Sequence, residues 1–204
     1  MTLRIGALAS HGGSNLQAII DACASGRLDA EVVVVISNNS GAPALQRAAA
    51  AGIPTAHLSS RTHPDAEELD QAVLGSLRDH GTEIVVLAGY MKRLGPRTTD
   101  AFRGRVLNIH PALLPRHGGV GMFGERVHAA VLAAGDTESG ATVHVVDEQY
   151  DEGPILAQAR VPVLPDDDVS ALARRVLVAE HRLYVETLQK VADGRIILPT
   201  TGND

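Results

Sequence analysis

Aromatic residues are scarce in this chain. It has no tryptophan, two phenylalanines and three tyrosines in 204 residues, so its core must rest on Val, Leu, Ile and Ala. Sequence-tolerant binding of nucleic acid needs aromatic platforms along a basic groove. Here the aromatics are few and the net charge is −6, so no nucleic-acid partner is expected. Cys23 is the one cysteine, which excludes a disulfide framework and a paired-cysteine metal site. No His-Glu-x-x-His pattern is present either, and no metal is expected. Long apolar runs are missing as well: none approaches the ~20 residues of a membrane-spanning helix. Residues 2–9 read as a short apolar strand followed by glycine-rich polar residues, not as a signal peptide. The expectation is a cytoplasmic protein with no membrane partner, acting as a monomer or homodimer.

What is present is an alternation of strands and helices. Hydrophobic residues make up 45% of the chain, enough for one full core, and residues 1–204 read as a single domain. Apolar runs at 3–9, 31–37, 52–58, 84–88 and 105–109 read as strands. Helical patterns follow at 16–22, 42–51 and 65–78. This order predicts an α/β, Rossmann-like fold: a mostly parallel central sheet with helices on both faces. Residues 125–134 read as a further helix. The runs 139–146 and 155–163, joined by an acidic turn, read as an antiparallel C-terminal strand pair. A long helix is expected over 169–191, a last short strand over 196–198 and a loose tail over 200–204.

Two places carry chemistry. Gly12-Gly13-Ser14-Asn15 joins the first strand to the first helix. Such a turn presents free backbone N–H groups to an anion, yet neither the dinucleotide fingerprint nor the P-loop pattern is matched. It reads either as a cradle for one phosphate monoester or as a plain strand-to-helix turn with Ser14 as the helix cap. The second place is Val106-Leu107-Asn108-Ile109-His110-Pro111. Asn108 and His110 share one strand face, and Pro111 stops the ladder. The carboxyl ends of parallel strands are where ligands bind. His110 reads either as a catalytic imidazole or as a buried histidine satisfied by backbone. The chain has nine histidines, and His57, His63, His80 and His181 read as surface or capping residues. Asp151 lies in the acidic turn. A carboxamide can hold an oxyanion, and an imidazole beside a carboxylate can move a proton. Asn108, His110 and Asp151 could therefore run an acyl-type transfer without a covalent enzyme intermediate. No Gly-x-Ser-x-Gly elbow offers a nucleophile.

The segments Gly13-Ser14-Asn15-Leu16-Gln17-Ala18, Leu87-Ala88-Gly89-Tyr90-Met91, Leu107 to Pro115, Thr142-Val143-His144 and Asp151-Glu152-Gly153-Pro154 occur in this order. Together they resemble the phosphoribosylglycinamide formyltransferases, over nearly the whole chain. The resemblance implies a folate-dependent one-carbon transfer in purine synthesis. Its formyl donor would be 10-formyltetrahydrofolate, and its acceptor the amine of 5'-phosphoribosylglycinamide. It implies a phosphate-binding half over residues 1–104 and a catalytic and folate-binding half over 105–198. Asn108 and His110 would be catalytic, with His110 the general acid and Asp151 raising its pKa. Gly13, Ser14 and Asn15 would hold the phosphate, and Glu180 the ribose hydroxyls. Met91, Lys92, Arg93 and Leu94, with Asp147, Glu148, Gln149, Tyr150 and Asp151, would line the pterin pocket beside Asn108. The Leu114–Pro115 bond would be cis.

Two departures from that pattern stand out. Residues 116–124 are longer and richer in glycine than the family's short Pro-Gly-x-His segment. Ala66 stands where the family often places an arginine for the folate tail, which leaves Lys92 or Arg93 for that role. Three other readings compete with the amine formyltransferase. A folate hydrolase would carry a regulatory domain ahead of the first strand, where this chain starts directly. A tRNA-directed formyltransferase would want a basic C-terminal module. A non-catalytic phosphate-binding protein would not bring Asn108, His110 and Asp151 together in one cleft.

Overall fold

Runs of β-branched residues covered on both faces make the centre of this molecule. A computed structural model describes residues 2–147 and 149–198. The elements run β1 (Leu3–Leu8), α1 (Ser14–Ala24), β2 (Ala30–Ser37), α2 (Pro43–Ala50), β3 (Thr55–His57), α3 (Ala66–Asp79) and β4 (Ile84–Leu87). They continue with α4 (Pro96–Ala101), β5 (Val106–His110), α5 (Glu125–Ala133), β6 (Glu138–Val145), β7 (Ile155–Pro162) and α6 (Val169–Ala192). The strands form one seven-stranded sheet in the order β3-β2-β1-β4-β5-β6-β7. β1 to β5 are parallel, while β6 runs antiparallel to both β5 and β7. The sequence-based expectation of a Rossmann-like, mostly parallel sheet with an antiparallel C-terminal pair holds.

The strand order reverses between β1 and β4, and the helices divide accordingly. One apolar cluster joins α1, α2, α5 and α6 to one face, through Leu16, Ile19, Ala44, Val131, Leu172 and Tyr184. A second joins α3 to the other face through Val73, Leu74 and Leu77. The turn after β1 and the loop after β4 diverge at this reversal, which opens a crevice at the carboxyl edge.

Tyr184 ties the crevice to the core. Its ring is fully buried, and its hydroxyl donates to Leu107 O at 2.9 Å and Leu87 O at 3.2 Å. One phenol on α6 thus bridges β4 and β5 just below the site. Ser10 does similar work from the turn after β1. Its Oγ donates to Asn38 Oδ1 at 2.6 Å and accepts from Met91 N at 2.7 Å, which docks the loop after β4.

Four features differ from the sequence reading. Residues 196–198 form no strand: Ile196 N donates back to Lys190 O at 2.8 Å, and Ile197 is exposed. Of the three, Leu198 packs against the main apolar cluster. The helix α4 was not expected. Its cap is remote in sequence: Asp70 of α3 accepts from Arg97 N at 2.7 Å and from Thr98 N at 3.1 Å. Gly95 has to be small there, because a Cβ would stand 2.2 Å from the Asp70 carboxyl carbon. Ser14 is not the cap of α1. Gly13 occupies that position with φ 68° and makes no side-chain cap. Last, His57 lies within β3 and His181 within α6, and His181 Nε2 is buried with no partner. The expected tail at 200–204 lies outside the described residues.

Removing the Tyr184 hydroxyl leaves two buried carbonyls without their shared donor. Tyr184→Phe is expected to lower unfolding free energy by about 1–3 kcal/mol. The urea unfolding midpoint measures this, and a midpoint equal to wild type would refute the bridge.

Candidate active site

The chemistry is built on antiparallel register. In the β5–β6 pair, Asn108 stands opposite His144, and His110 opposite Thr142. Directly opposed residues share a face, so Asn108, His110, His144 and Thr142 project together. Asn108 Nδ2 lies 3.1 Å from His144 Nε2. His144 Nδ1 lies 3.1 Å from the Val145 carbonyl. A carbonyl only accepts, so Nδ1 carries a proton, and Nε2 faces the Asn108 amide. The second amide hydrogen of Asn108 remains for a ligand.

Asp151 completes the group from the loop between β6 and β7. One oxygen lies 3.4 Å from His110 Nδ1 and the other 3.5 Å from His144 Nε2. Its backbone takes φ 60°, and Gly119 N donates to Oδ2 at 2.9 Å. Burial opposes its charge, but His144, His110 and the Gly119 N–H together hold its carboxyl below the usual carboxylate range. His110 is 3% exposed, and its Nε2 donates to the His117 carbonyl at 2.8 Å. Burial holds the imidazole below the usual histidine range, although Asp151 and the His117 carbonyl both pull upward. Asp151 therefore acts in the direction that the resemblance implies, but desolvation reverses the net result.

The turn after His110 is pinned from β6 and β7. Thr142 Oγ1 donates to Ala112 O at 2.7 Å and accepts from Leu114 N at 3.1 Å and Gln158 Nε2 at 2.9 Å. The Leu114–Pro115 bond is cis. The glycine-rich segment 116–124 also enters the site, through the Gly119 N–H and the His117 carbonyl. His117 is anchored in turn by Asp136, with Nε2 2.7 Å from Oδ2. Arg116 pairs with the same carboxylate.

All of this opens on one cavity of about 1230 Å³, large enough for two small substrates. Every described residue singled out from the sequence lines it: Asn108, His110 and Asp151 in the centre, Gly13, Ser14, Asn15 and Glu180 to one side, and 91–94 with Asp147, Gln149 and Tyr150 to the other. Glu148 lies outside the described residues. At the α1 end, Asn15 Nδ2 donates to Glu180 Oε2 at 2.6 Å. Burial raises the Glu180 pKa against the pull of that bond. Gly13 is fixed by conformation and by space, since a Cβ there would stand 2.8 Å from Ala44 Cβ. At the other end the Arg93 guanidinium lies 5.8 Å from the Tyr150 ring centroid, joining the two loops across the pocket. Lys92 and Arg93 line this end together with Arg103. No group of His, Cys, Asp and Glu able to hold a metal occurs among the described residues.

Sequence reasoning passed over three histidines. His144 could have been found by setting the strand at 139–146 antiparallel to β5. His117 acts through a backbone carbonyl, which no side-chain pattern reveals. His128 of α5 is 4% exposed and lines the cavity. Its Nδ1 is buried with no partner, and burial, then His110, lower its pKa.

The buried histidines make stability depend on pH. His110, His128 and His181 are all depressed from the 6.5 of a free imidazole, with burial the leading cause. Below that value the unfolded chain binds protons that the folded chain does not, so stability falls as pH falls. The melting temperature is expected to be lower at about pH 5.5 than at about pH 7.5. His128→Gln should remove part of that difference; an undiminished difference would exclude His128 as a contributor.

Comparison with known proteins bears on this geometry. A family model described as formyl transferase matches residues 3–188. The phosphoribosylglycinamide formyltransferase of Haemophilus influenzae is 40% identical over 195 residues, covering 96% of this chain and 90% of that protein. The trifunctional purine biosynthetic protein adenosine-3 of Chironomus tentans is 42% identical, but the match spans 96% of this chain and only 14% of that longer protein. Among solved structures, glycinamide ribonucleotide transformylase 1 of Symbiobacterium toebii superposes with a TM-score of 0.90 at 42% identity, covering 97% of this chain and 91% of that one. The chain belongs to the phosphoribosylglycinamide formyltransferase family of formyl transferases.

Proposed function

We propose that this formyltransferase moves the formyl group of 10-formyltetrahydrofolate to the amine of 5'-phosphoribosylglycinamide, directly and through a tetrahedral intermediate. The observation that carries this reading is the convergence of Asn108, His110, His144 and Asp151 on one cavity flanked by an anion-ready turn. The acceptor lies toward α1 and α6. Its phosphate meets the N–H groups at Ser14 and Asn15, and its ribose hydroxyls meet Glu180 and the unpartnered Asn15 Oδ1. The donor's pterin lies between the 91–94 loop and the 147–151 loop. Its carboxylate tail runs toward Lys92, Arg93 and Arg103, which supply the cation that Ala66 does not.

The acceptor nitrogen attacks the formyl carbon, and the carbonyl electrons move onto oxygen. The free Asn108 N–H meets that oxyanion. The new C–N bond leaves the attacking nitrogen with a surplus proton, while N10 of the folate needs one to depart. His110, backed by Asp151, relays it, and the C–N10 bond breaks as N10 is protonated. The oxyanion collapses to the formamide. No covalent enzyme intermediate forms, and no proton is gained or lost overall. A depressed pKa makes the imidazolium a stronger acid for this step.

A formyl-transfer assay with 5'-phosphoribosylglycinamide, run beside water as the acceptor, tests the reading. Formylation of the amine with little release of formate is expected. Formate release that ignores the acceptor would instead mark a hydrolase. His110→Ala and Asp151→Asn should each lower kcat by about 10²–10⁴-fold, with substrate binding retained by calorimetry. Wild-type turnover in either variant would remove that residue from the proton relay.

A further inference from the structure

The two helices at the acceptor end run side by side in the same direction. Asn15 near the start of α1 meets Glu180 at 2.6 Å, and Asp29 just beyond its end meets Gln189 at 2.8 Å. α6 begins well before Glu180, so its earlier turns overhang the N-terminus of α1. At 1.5 Å per residue, Arg174 stands about 9 Å ahead of Glu180 along the helix axis. That is the space in front of α1, toward which the first N–H groups of α1 point. Arg174, Leu177 and Glu180 follow one another at three-residue steps, each beside the next on the helix surface. All three line the cavity with Gly13, Ser14 and Asn15.

The other charges nearby are committed. Arg175 donates to the two Asp167 oxygens at 2.6 and 2.8 Å and to Pro162 O at 3.0 Å. Arg47 donates to Gly12 O at 2.8 Å and to Gln17 Oε1 at 3.1 Å. Arg174 is exposed, with no hydrogen bond or ion pair among the described residues. An independent sign of a ligand lies at the same spot. Asn15 is 8% exposed, and its Oδ1 is buried with no donor. The backbone turn and the uncommitted guanidinium line the cavity beside it, and an amide oxygen that lacks a donor suits a hydroxyl of the same phosphorylated ligand.

We infer that Arg174 is the cation that binds the acceptor's phosphate monoester, closing over it from α6 while the turn at Gly13 holds it from below. This rests on the acceptor reading given above and adds the residue that supplies its charge. A guanidinium matches two phosphate oxygens at once and brings a full positive charge, where a helix N-terminus brings about half of one. Arg174 acts on binding of one substrate and not on the reacting atoms.

Steady-state kinetics of wild type, Arg174→Ala and Arg174→Lys with the phosphorylated acceptor and its dephosphorylated counterpart provide the test. Arg174→Ala is expected to raise KM for the phosphorylated acceptor by about 10–100-fold, with Arg174→Lys between the two. The wild-type to Arg174→Ala ratio of kcat/KM should shrink at least about fivefold with the dephosphorylated acceptor, because the partner of the guanidinium is gone. Equal ratios for the two acceptors, or an unchanged KM, would overturn the inference. Should wild type formylate neither acceptor, the acceptor reading fails, and inorganic phosphate titrated against the Ser14 and Asn15 amide resonances judges Arg174 separately. Weaker phosphate binding in Arg174→Ala then supports it, and equal binding rejects it.

Discussion

A carboxylate held between two imidazoles governs this molecule's centre. Asp151 is nearly buried, so its charge needs partners on every side. It finds His110 and His144 from two antiparallel strands and the Gly119 N–H from the glycine-rich segment. Each partner belongs to a different stretch of chain, so one charge draws β5, β6 and two loops to a point. Asn108 then takes its orientation from His144. The arrangement is preorganised: the groups that the proposed mechanism sets before an oxyanion are held by contacts within the protein itself.

The sheet decides where that centre can be reached. Reversal of strand order between β1 and β4 sends α1 and α6 to one face and α3 to the other. The Gly13 turn follows β1, and the 91–94 loop follows β4. Two ligands can therefore approach Asn108 and His110 from different faces of the same edge without competing for space. The antiparallel β6 is needed for a separate reason. Its register with β5 sets His144 beside Asn108 and Thr142 beside His110.

Much of this could be read along the chain. The β-branched runs, the glycine turn at 12–13 and the Asn108–His110 spacing are local signals. They are legible because each depends on residues close in sequence. What was missed depends on distance. The cap of α4 comes from Asp70 in another helix. The His117 contribution is a carbonyl, and the His144 role exists only once register is known. The net direction of the His110 pKa was also out of reach, because burial outweighs the carboxylate beside it and burial is a property of the fold. Residues 196–198 misled in the opposite sense: three apolar residues look like a strand wherever they occur, and here they pair with no strand. The Ser14 cap failed because Gly13 could adopt the left-handed conformation that the turn requires.

α6 has a consequence beyond packing. Glu180 is fixed to Asn15 at the acceptor turn, and Tyr184, one turn further on, is fixed to Leu87 and Leu107 in the strands beneath the catalytic group. The helix between these two anchors is rigid, and one turn spans about 5.4 Å. On the proposed reading it serves as a ruler between the place where an acceptor is gripped and the place where it reacts. Selection under that reading is a matter of length. An acceptor whose amine and anionic end are separated by a different span would reach one anchor or the other, but not both at once.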